Sequence, residues 1–284
     1  MTGAHRGREC DHTSLILKFL KHLVNTCLLT RVCPPRLKHG IIVMIPKPGK
    51  VSDDAKNMRP ITLLPELGKL TARILANRIT LILHNNPKLL HPAQRAYLRD
   101  GSSRQCLTAL TNICEDFWES NSTSNLIITS YDVRKAFDSV QRFSIAAACD
   151  RIGMPHNFRE YIIETLDQAT SQVRCRHGLT DDIDVMTSVR QGDPLAAIVF
   201  IIIMDGLHVG LEHNPLGSQA GQQYTMANGT TVASLGYADD TALTSETFLG
   251  TLVQREFFVA HHLRFNSDKS YCSRPREATS AWNQ

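Results

Sequence analysis

The sequence predicts an α+β fold in which an antiparallel sheet carries a cluster of carboxylates. Three observations support that prediction. Apolar runs at 232–236 and 241–243 flank the adjacent pair Asp239 and Asp240, so they read as the strands of a hairpin with both acids at its tight turn. Residues 126–131, Leu-Ile-Ile-Thr-Ser-Tyr, form a second β-branched strand that ends at Asp132. Segments with apolar residues at three- and four-residue spacing, notably 14–29 and 67–84, read as amphipathic helices.

From the N-terminus, residues 1–12 are polar, and the first helix carries Leu17, Leu20, Val24 and Leu28 on one face until Cys33-Pro34-Pro35 stops it. Residues 40–45 read as a buried strand that runs into the turn Pro46-Lys47-Pro48-Gly49-Lys50, which carries two cations. After Asn57-Met58-Arg59-Pro60-Ile61-Thr62-Leu63-Leu64 comes the helix at 67–84, with Leu70, Ile74, Arg78 and Leu81 in series. A further helix spans 104–119, and the polar loop 121–125 separates it from the strand that ends at Asp132. Helices follow at 143–152 and 156–169, broken by Gly153 and Pro155, then strands at 172–176 and 183–189 around a turn at 177–182. Ser188-Val189-Arg190-Gln191-Gly192-Asp193-Pro194-Leu195 leads into a helix that runs on through Met204. There Gly192 permits close approach of backbone to a ligand, and Pro194 suits a first helical turn. An N-terminal helical segment (1–39) thus precedes the rest of the chain, in which the polar loop 121–125 is a candidate border.

Charge is unevenly placed along the chain. Residues 1–100 hold 17 Lys and Arg against 6 Asp and Glu, whereas the remainder holds 14 against 21. A basic first third joined to an acidic remainder suits phosphate binding beside a metal-binding centre. The eight cysteines show no Cys-x-x-Cys pair and no zinc-ligand spacing with His, so they read as reduced thiols of an intracellular protein. The helix at 14–29 is interrupted by Lys18, Lys21, His22 and Asn25, and the run 195–204 is too short to span a bilayer, so no membrane partner is expected.

Adjacent carboxylates repel, and a divalent cation relieves that repulsion. A ligand set made of oxygens alone suits Mg²⁺ or Mn²⁺. With Asp132 added to Asp239 and Asp240, the set matches a site for two ions about 3.5–4 Å apart, the arrangement that serves in-line phosphoryl transfer. Tyr131-Asp132-Val133-Arg134-Lys135-Ala136-Phe137-Asp138 and Tyr237-Ala238-Asp239-Asp240 resemble motifs A and C of reverse transcriptases. Arg190-Gln191-Gly192-Asp193-Pro194-Leu195 resembles motif B, with Ala196 where the family has Ser. The order Ile45-Pro46-Lys47-Pro48-Gly49-Lys50, Arg59-Pro60-Ile61, Lys69, Arg73 is similar to the fingers motifs of non-LTR (LINE-type) retrotransposon and group II intron enzymes. Gln94-Arg95-Ala96-Tyr97-Leu98-Arg99-Asp100-Gly101-Ser102-Ser103 resembles the next family block, and 263–270 resembles motif D, with His262 where the family has Gly.

The resemblance covers roughly 35–272 and implies a right-hand polymerase fold, with fingers at 40–125 and a palm with an antiparallel sheet at 126–284. It implies RNA-directed DNA synthesis, in which a DNA primer 3′-hydroxyl on an RNA template attacks a dNTP. Asp132, Asp239, Asp240 and the Val133 carbonyl are the implied ligands of two Mg²⁺ ions, or Mn²⁺. Lys50 and Arg59, with Lys47 beside them, are implied to hold phosphates, and Gln191 and Gly192 to meet the nucleotide. Phe137 is implied to lie under the sugar, and Lys269 to donate a proton to pyrophosphate. Since the sequence ends soon after motif D, the thumb is expected to be missing. In a eukaryotic host the expected location is nuclear, and the oligomeric state is left open. A degenerate remnant that binds nucleic acid without polymerising, a group II intron-type maturase and an RNA-templated RNA polymerase are the alternatives. Phe137 and the Tyr-Ala-Asp-Asp turn favour a reverse transcriptase over the last of these.

Overall fold

The computed structural model describes residues 9–49, 54, 57–120, 125–133, 135–186, 189–214, 219–260 and 270–273. Its chain forms two compact units, one built from 1–72 with 153–186 and the other from 73–152 with 187–284. These units cut across the ranges 1–39, 40–125 and 126–284, because a strand near residue 170 joins a sheet begun near residue 40. Sequence proximity could not reveal that pairing.

In the first unit, α1 (Glu9–Thr30) and the short α2 (Pro35–Lys38) precede β1 (Gly40–Pro46) and β2 (Met58–Leu63). The two strands form an antiparallel hairpin, with Ile45 opposite Arg59 and Pro46 opposite Met58. β4 (Thr170–Cys175) pairs with β1 in parallel, and the short strands β5 (Gly178–Leu179) and β6 (Ile183–Asp184) pair with β4. The strand read at 183–189 is therefore far shorter than its apolar content suggested, and its two residues are exposed. α7 (His156–Leu166) packs on α1, with Tyr161 buried and the ion pair Lys38–Glu164 closed at 2.6 Å.

After α3 (Glu66–Asn85), the second unit takes in α4 (Ser103–Glu119), α5 (Ala136–Ser139), α6 (Arg142–Arg151), α8 (Ala196–Glu212) and α9 (Phe248–Ala260). Its main sheet has the order β11 (Tyr271–Ser273), β3 (Ile127–Asp132), β10 (Asp240–Ser245), β9 (Ser234–Tyr237), all antiparallel. Ser102 caps α4 through a reciprocal capping box with Gln105. α8 is apolar nearly all round, which is the pattern of a helix buried on every side. Ile198, Val199, Phe200, Ile201, Ile202 and Met204 are accordingly buried together in it. Two polar residues share that burial, Asp205 and His208. Ile113, Phe117, Leu126 and Tyr224 form a second cluster, in which the Tyr224 hydroxyl donates to Asp116 at 2.9 Å.

The run 232–236, read as one strand, is divided at Ala233. Thr231–Val232 (β8) pairs with Tyr224–Thr225 (β7), whereas Ser234–Tyr237 pairs with β10. Among the described residues no helix is long and apolar enough to cross a membrane.

Candidate active site

The site is built on the β9–β10 hairpin. Tyr237 pairs with Asp240, which leaves Ala238 and Asp239 as a two-residue turn. Ala238 adopts φ +59°, the left-handed conformation that such tight hairpin turns require. This corrects one detail of the sequence reading: Asp239 lies in the turn, but Asp240 is already the first residue of β10.

β10 pairs in turn with β3, and its register sets Asp240 directly opposite Asp132. Directly opposed residues in an antiparallel pair share a face, with Cβ atoms about 4.5–5.5 Å apart. Two carboxylates are thereby aligned across neighbouring strands, with the third one residue away on the turn. Asp132 and Asp239 are half-buried and Asp240 is exposed. The Asp132 amide donates to Ser270 Oγ at 3.4 Å, just ahead of β11. In donor chemistry the set fits a hard divalent cation, since every ligand is oxygen. Among the described residues, however, no three His, Cys, Asp or Glu side chains are gathered closely enough to hold a metal ion as they stand. The backbone aligns the acids without closing a cage.

Val133 follows Asp132 and is buried. Lys135, at φ +51°, then opens the turn of helix α5 that holds Phe137. The Phe137 ring stacks on Phe200 of α8, with centroids 4.7 Å apart and planes 23° from parallel. Its carbonyl accepts the Val189 amide at 3.0 Å, which ties this segment to the one carrying Gln191 and Gly192. Gln191 is half-buried, and Gly192 is exposed at φ +108°, a conformation that disfavours any side chain there. Asp193 stabilises the entry to α8 by accepting the Leu195 amide at 2.9 Å. Burial pushes the Asp193 carboxyl up from its ordinary value, against the opposing pull of that amide and of Arg190. Asp138 is likewise raised by burial, with Lys135 opposing.

Lys47 and Arg59 sit at one end of the β1–β2 hairpin in the first unit, where the Lys47 amide donates to the Asn57 carbonyl at 2.8 Å. Arg59 is exposed. Lys50, Lys269 and the whole segment 261–269 fall outside the described residues.

Three residues that the sequence did not single out border the Ala238–Asp239 turn. Gln94 is almost fully buried and bonds the backbone of Ala238. Tyr97, at φ +56° and half-exposed, is close enough to Asp239 to feel its charge. Burial is the first cause that raises its phenol, and the charges of Asp239 and Tyr237 add to it. His208 lies behind β9, where its Nδ1 pairs with Ser234 Oγ at 2.8 Å. Burial lowers its pKa to about 3, so it stays neutral. Gln94 and Tyr97 lie in a family-like block, yet nothing in residue type distinguished them from ordinary loop residues.

The family model described as "Reverse transcriptase (RNA-dependent DNA polymerase)" matches residues 45–273. The chain belongs to the reverse transcriptase family. Among curated relatives, it is similar to the Pol polyprotein of the type-1 retrotransposable element R2 of Popillia japonica, at 34% identity over 236 residues. That match covers 80% of this chain and 31% of the relative. The R2DM polyprotein of Drosophila melanogaster is 25% identical over 253 residues, 88% of this chain and 22% of its own length. The polymerase of the Drosophila mobile element jockey is 24% identical over 231 residues, 81% of this chain and 24% of that protein. The reverse transcriptase chain thus spans a third or less of the length of these relatives, all from non-LTR elements. Among solved structures, the apo telomerase of Candida tropicalis is similar with a TM-score of 0.60 at 13% identity, over 91% of this chain and 49% of that one. At that identity the likeness concerns the fold alone, and it agrees with the right-hand polymerase architecture.

Proposed function

We propose that this chain is the RNA-directed DNA polymerase domain of a non-LTR retrotransposon protein and adds dNTPs to a DNA primer on an RNA template. The observation that supports this most is the register that sets Asp132 against Asp240, with Asp239 on the adjoining turn. Asp132, Asp239, Asp240 and the Val133 carbonyl are the residues that would hold divalent metal, Mg²⁺ or Mn²⁺. When bound, the metal supplies activation of the primer hydroxyl and neutralises charge on the departing pyrophosphate.

The chain's own residues do the rest. Phe137, braced from behind by Phe200, presents a flat apolar ring that cannot hydrogen-bond a 2′-hydroxyl. Gln191 and Gly192 offer an amide and open backbone to the incoming nucleotide, and Arg190 and Asp193, 3.8 Å apart, fix the bend that carries them. Lys47 and Arg59, at one end of the β1–β2 hairpin, are cations suited to nucleotide or template phosphates, and Lys50 takes the same part in this reading. Lys269 serves as proton donor to pyrophosphate in the same reading.

The test is single-nucleotide addition to a DNA primer annealed to RNA, with Mg²⁺ or Mn²⁺ supplied. Extension that requires the metal and prefers dNTPs supports the reading. Binding of primer–template without any extension would favour the non-polymerising alternative.

A further inference from the structure

The side chain of Gln94 holds the Ala238–Asp239 turn from behind. Gln94 follows the short helix Pro87–Leu89 in sequence and is 1% exposed. Its neighbours bond β9 in both directions: the Gly236 amide donates to the Ala93 carbonyl at 2.9 Å, and the Arg95 amide donates to the Gly236 carbonyl at 3.1 Å. Gln94 thereby forms a parallel bridge with Gly236 and adds one rung to the sheet edge. From there its side-chain amide reaches the turn. Oε1 accepts the Ala238 amide at 3.1 Å and the Ala96 amide at 3.0 Å, while Nε2 donates to the Ala238 carbonyl at 3.3 Å.

Both backbone groups of Ala238 are thus bonded by one residue. Ala238 is itself buried, so without Gln94 its amide and carbonyl would lose their partner away from water. It is also an L-residue in the left-handed region, which its own conformational preference does not maintain. The next residue along is Asp239. Whatever fixes the backbone of Ala238 fixes the direction in which the Asp239 carboxylate leaves the turn.

We infer that Gln94 is a positioning residue of the polymerase site, whose amide holds Ala238 so that Asp239 is presented in line with Asp132 and Asp240. It acts through backbone alone and touches neither substrate nor metal. The inference rests on the proposed polymerase function, but the clamp itself can be tested without turnover. A glutamine amide is suited to the task because one planar group offers an acceptor and a donor side by side, matching one residue's N–H and C=O. Glutamate would keep the acceptor, lose the donor and bring a charge into a buried site.

The experiment compares the parent chain with Gln94→Met, Gln94→Glu and the control Gln254→Met. Gln254 is equally buried, and its Nε2 donates to the carbonyls of Ala233 and Thr244 at 3.3 and 2.9 Å, away from the turn. Two readouts need no catalysis: hydrogen exchange of the peptide spanning 234–243, and Mn²⁺ binding followed by the electron paramagnetic resonance of free Mn²⁺. In Gln94→Met the turn amides should exchange at least tenfold faster, and Mn²⁺ affinity should fall at least fivefold. The kcat of single-nucleotide addition should fall at least tenfold, with KM for primer–template within twofold. Gln254→Met should lower thermal stability while leaving Mn²⁺ affinity within twofold. If Gln94→Met does not fold, Gln94→Glu carries the same expectations.

Unchanged turn exchange, unchanged Mn²⁺ affinity, or an equal loss of affinity in Gln254→Met would overturn the inference. Faster exchange and weaker Mn²⁺ binding, in a chain whose parent adds no nucleotide, would uphold the clamp and reject the polymerase reading instead.

Discussion

Gly236→Ala adds a single methyl group behind the Ala238–Asp239 turn, and the structure says where it would land. A Cβ at position 236 would lie 2.5 Å from His208 Nε2, 2.8 Å from His208 Cε1 and 3.4 Å from Gln94 Nε2. Comfortable contacts between such atoms need about 3.5–4.0 Å. The imidazole has little room to withdraw: it is fully buried, bonded to Ser234 Oγ at 2.8 Å and stacked on His91 with centroids 6.1 Å apart. The backbone is equally constrained, because the amide and carbonyl of Gly236 are both bonded to the 93–95 segment. Overpacking of this kind costs about 1–3 kcal/mol, and the double constraint places the expectation at about 2 kcal/mol. Urea unfolding should show it as a lower midpoint at unchanged slope. His208→Ala removes the ring that collides, so the two changes combined should cost less than their sum by about 1 kcal/mol or more. A Gly236→Ala variant within about 0.5 kcal/mol of the parent, or strict additivity with His208→Ala, would refute the reasoning.

Other outcomes follow from the same unit. Phe137→Val should admit ribonucleotides while sparing dNTP use, lowering the dNTP-to-rNTP preference about tenfold, or about 1.4 kcal/mol, in competing single-nucleotide additions; unchanged selectivity in an active variant would remove Phe137 from that role. Arg151→Ala would leave Asp205, whose side chain is fully buried, without the guanidinium it pairs with, and should cost about 3 kcal/mol in urea unfolding. A loss below about 1 kcal/mol would show that the His91 amide, which also bonds Asp205, suffices. Burial holds His208 near 3, whereas the unfolded chain protonates near its ordinary value of 6.5. Its contribution to stability is therefore complete above about pH 6.5 and lost as pH falls from there toward 3, by up to about 1.4 kcal/mol per pH unit. Asp205, raised by burial, works in the opposite sense below neutrality, so the test is a difference: the midpoint of the parent should fall more between pH 7 and pH 5 than that of His208→Gln. Equal falls would contradict it.

Much of this molecule was legible in the sequence where one physical signal dominated. The β-branched run before Asp132 and the apolar flanks of Asp239 and Asp240 sufficed for the hairpin and its partner strand, and the helix expected at 67–84 forms as Glu66–Asn85. The helix after Gly192 starts at Ala196 and continues to Glu212, beyond the point where its purely apolar run ends. What stayed hidden depended on pairing between distant segments. β4 joins β1 from about 130 residues away, in parallel, and no local pattern marks that register. β11 is three exposed residues whose strand character comes only from lying beside β3. The turn kept its detail hidden because Ala238, not Gly or Asn, occupies the left-handed position. Gln94 was hidden for a related reason: its work is done through backbone 144 residues away.

Asp132 and Asp239 are the residues proposed to carry metal-dependent nucleotide addition. The most direct measurement is single-nucleotide incorporation on a DNA primer annealed to RNA, with Mg²⁺, for the parent chain, Asp132→Asn and Asp239→Asn, each checked for a parent-like unfolding midpoint. Each substitution removes one charged oxygen ligand and keeps the size of the side chain. The parent should incorporate the nucleotide, and both folded variants should lose about 10³-fold or more. Incorporation by either variant within about tenfold of the parent would contradict it, as would a parent chain that binds primer–template and adds nothing with Mg²⁺ or Mn²⁺.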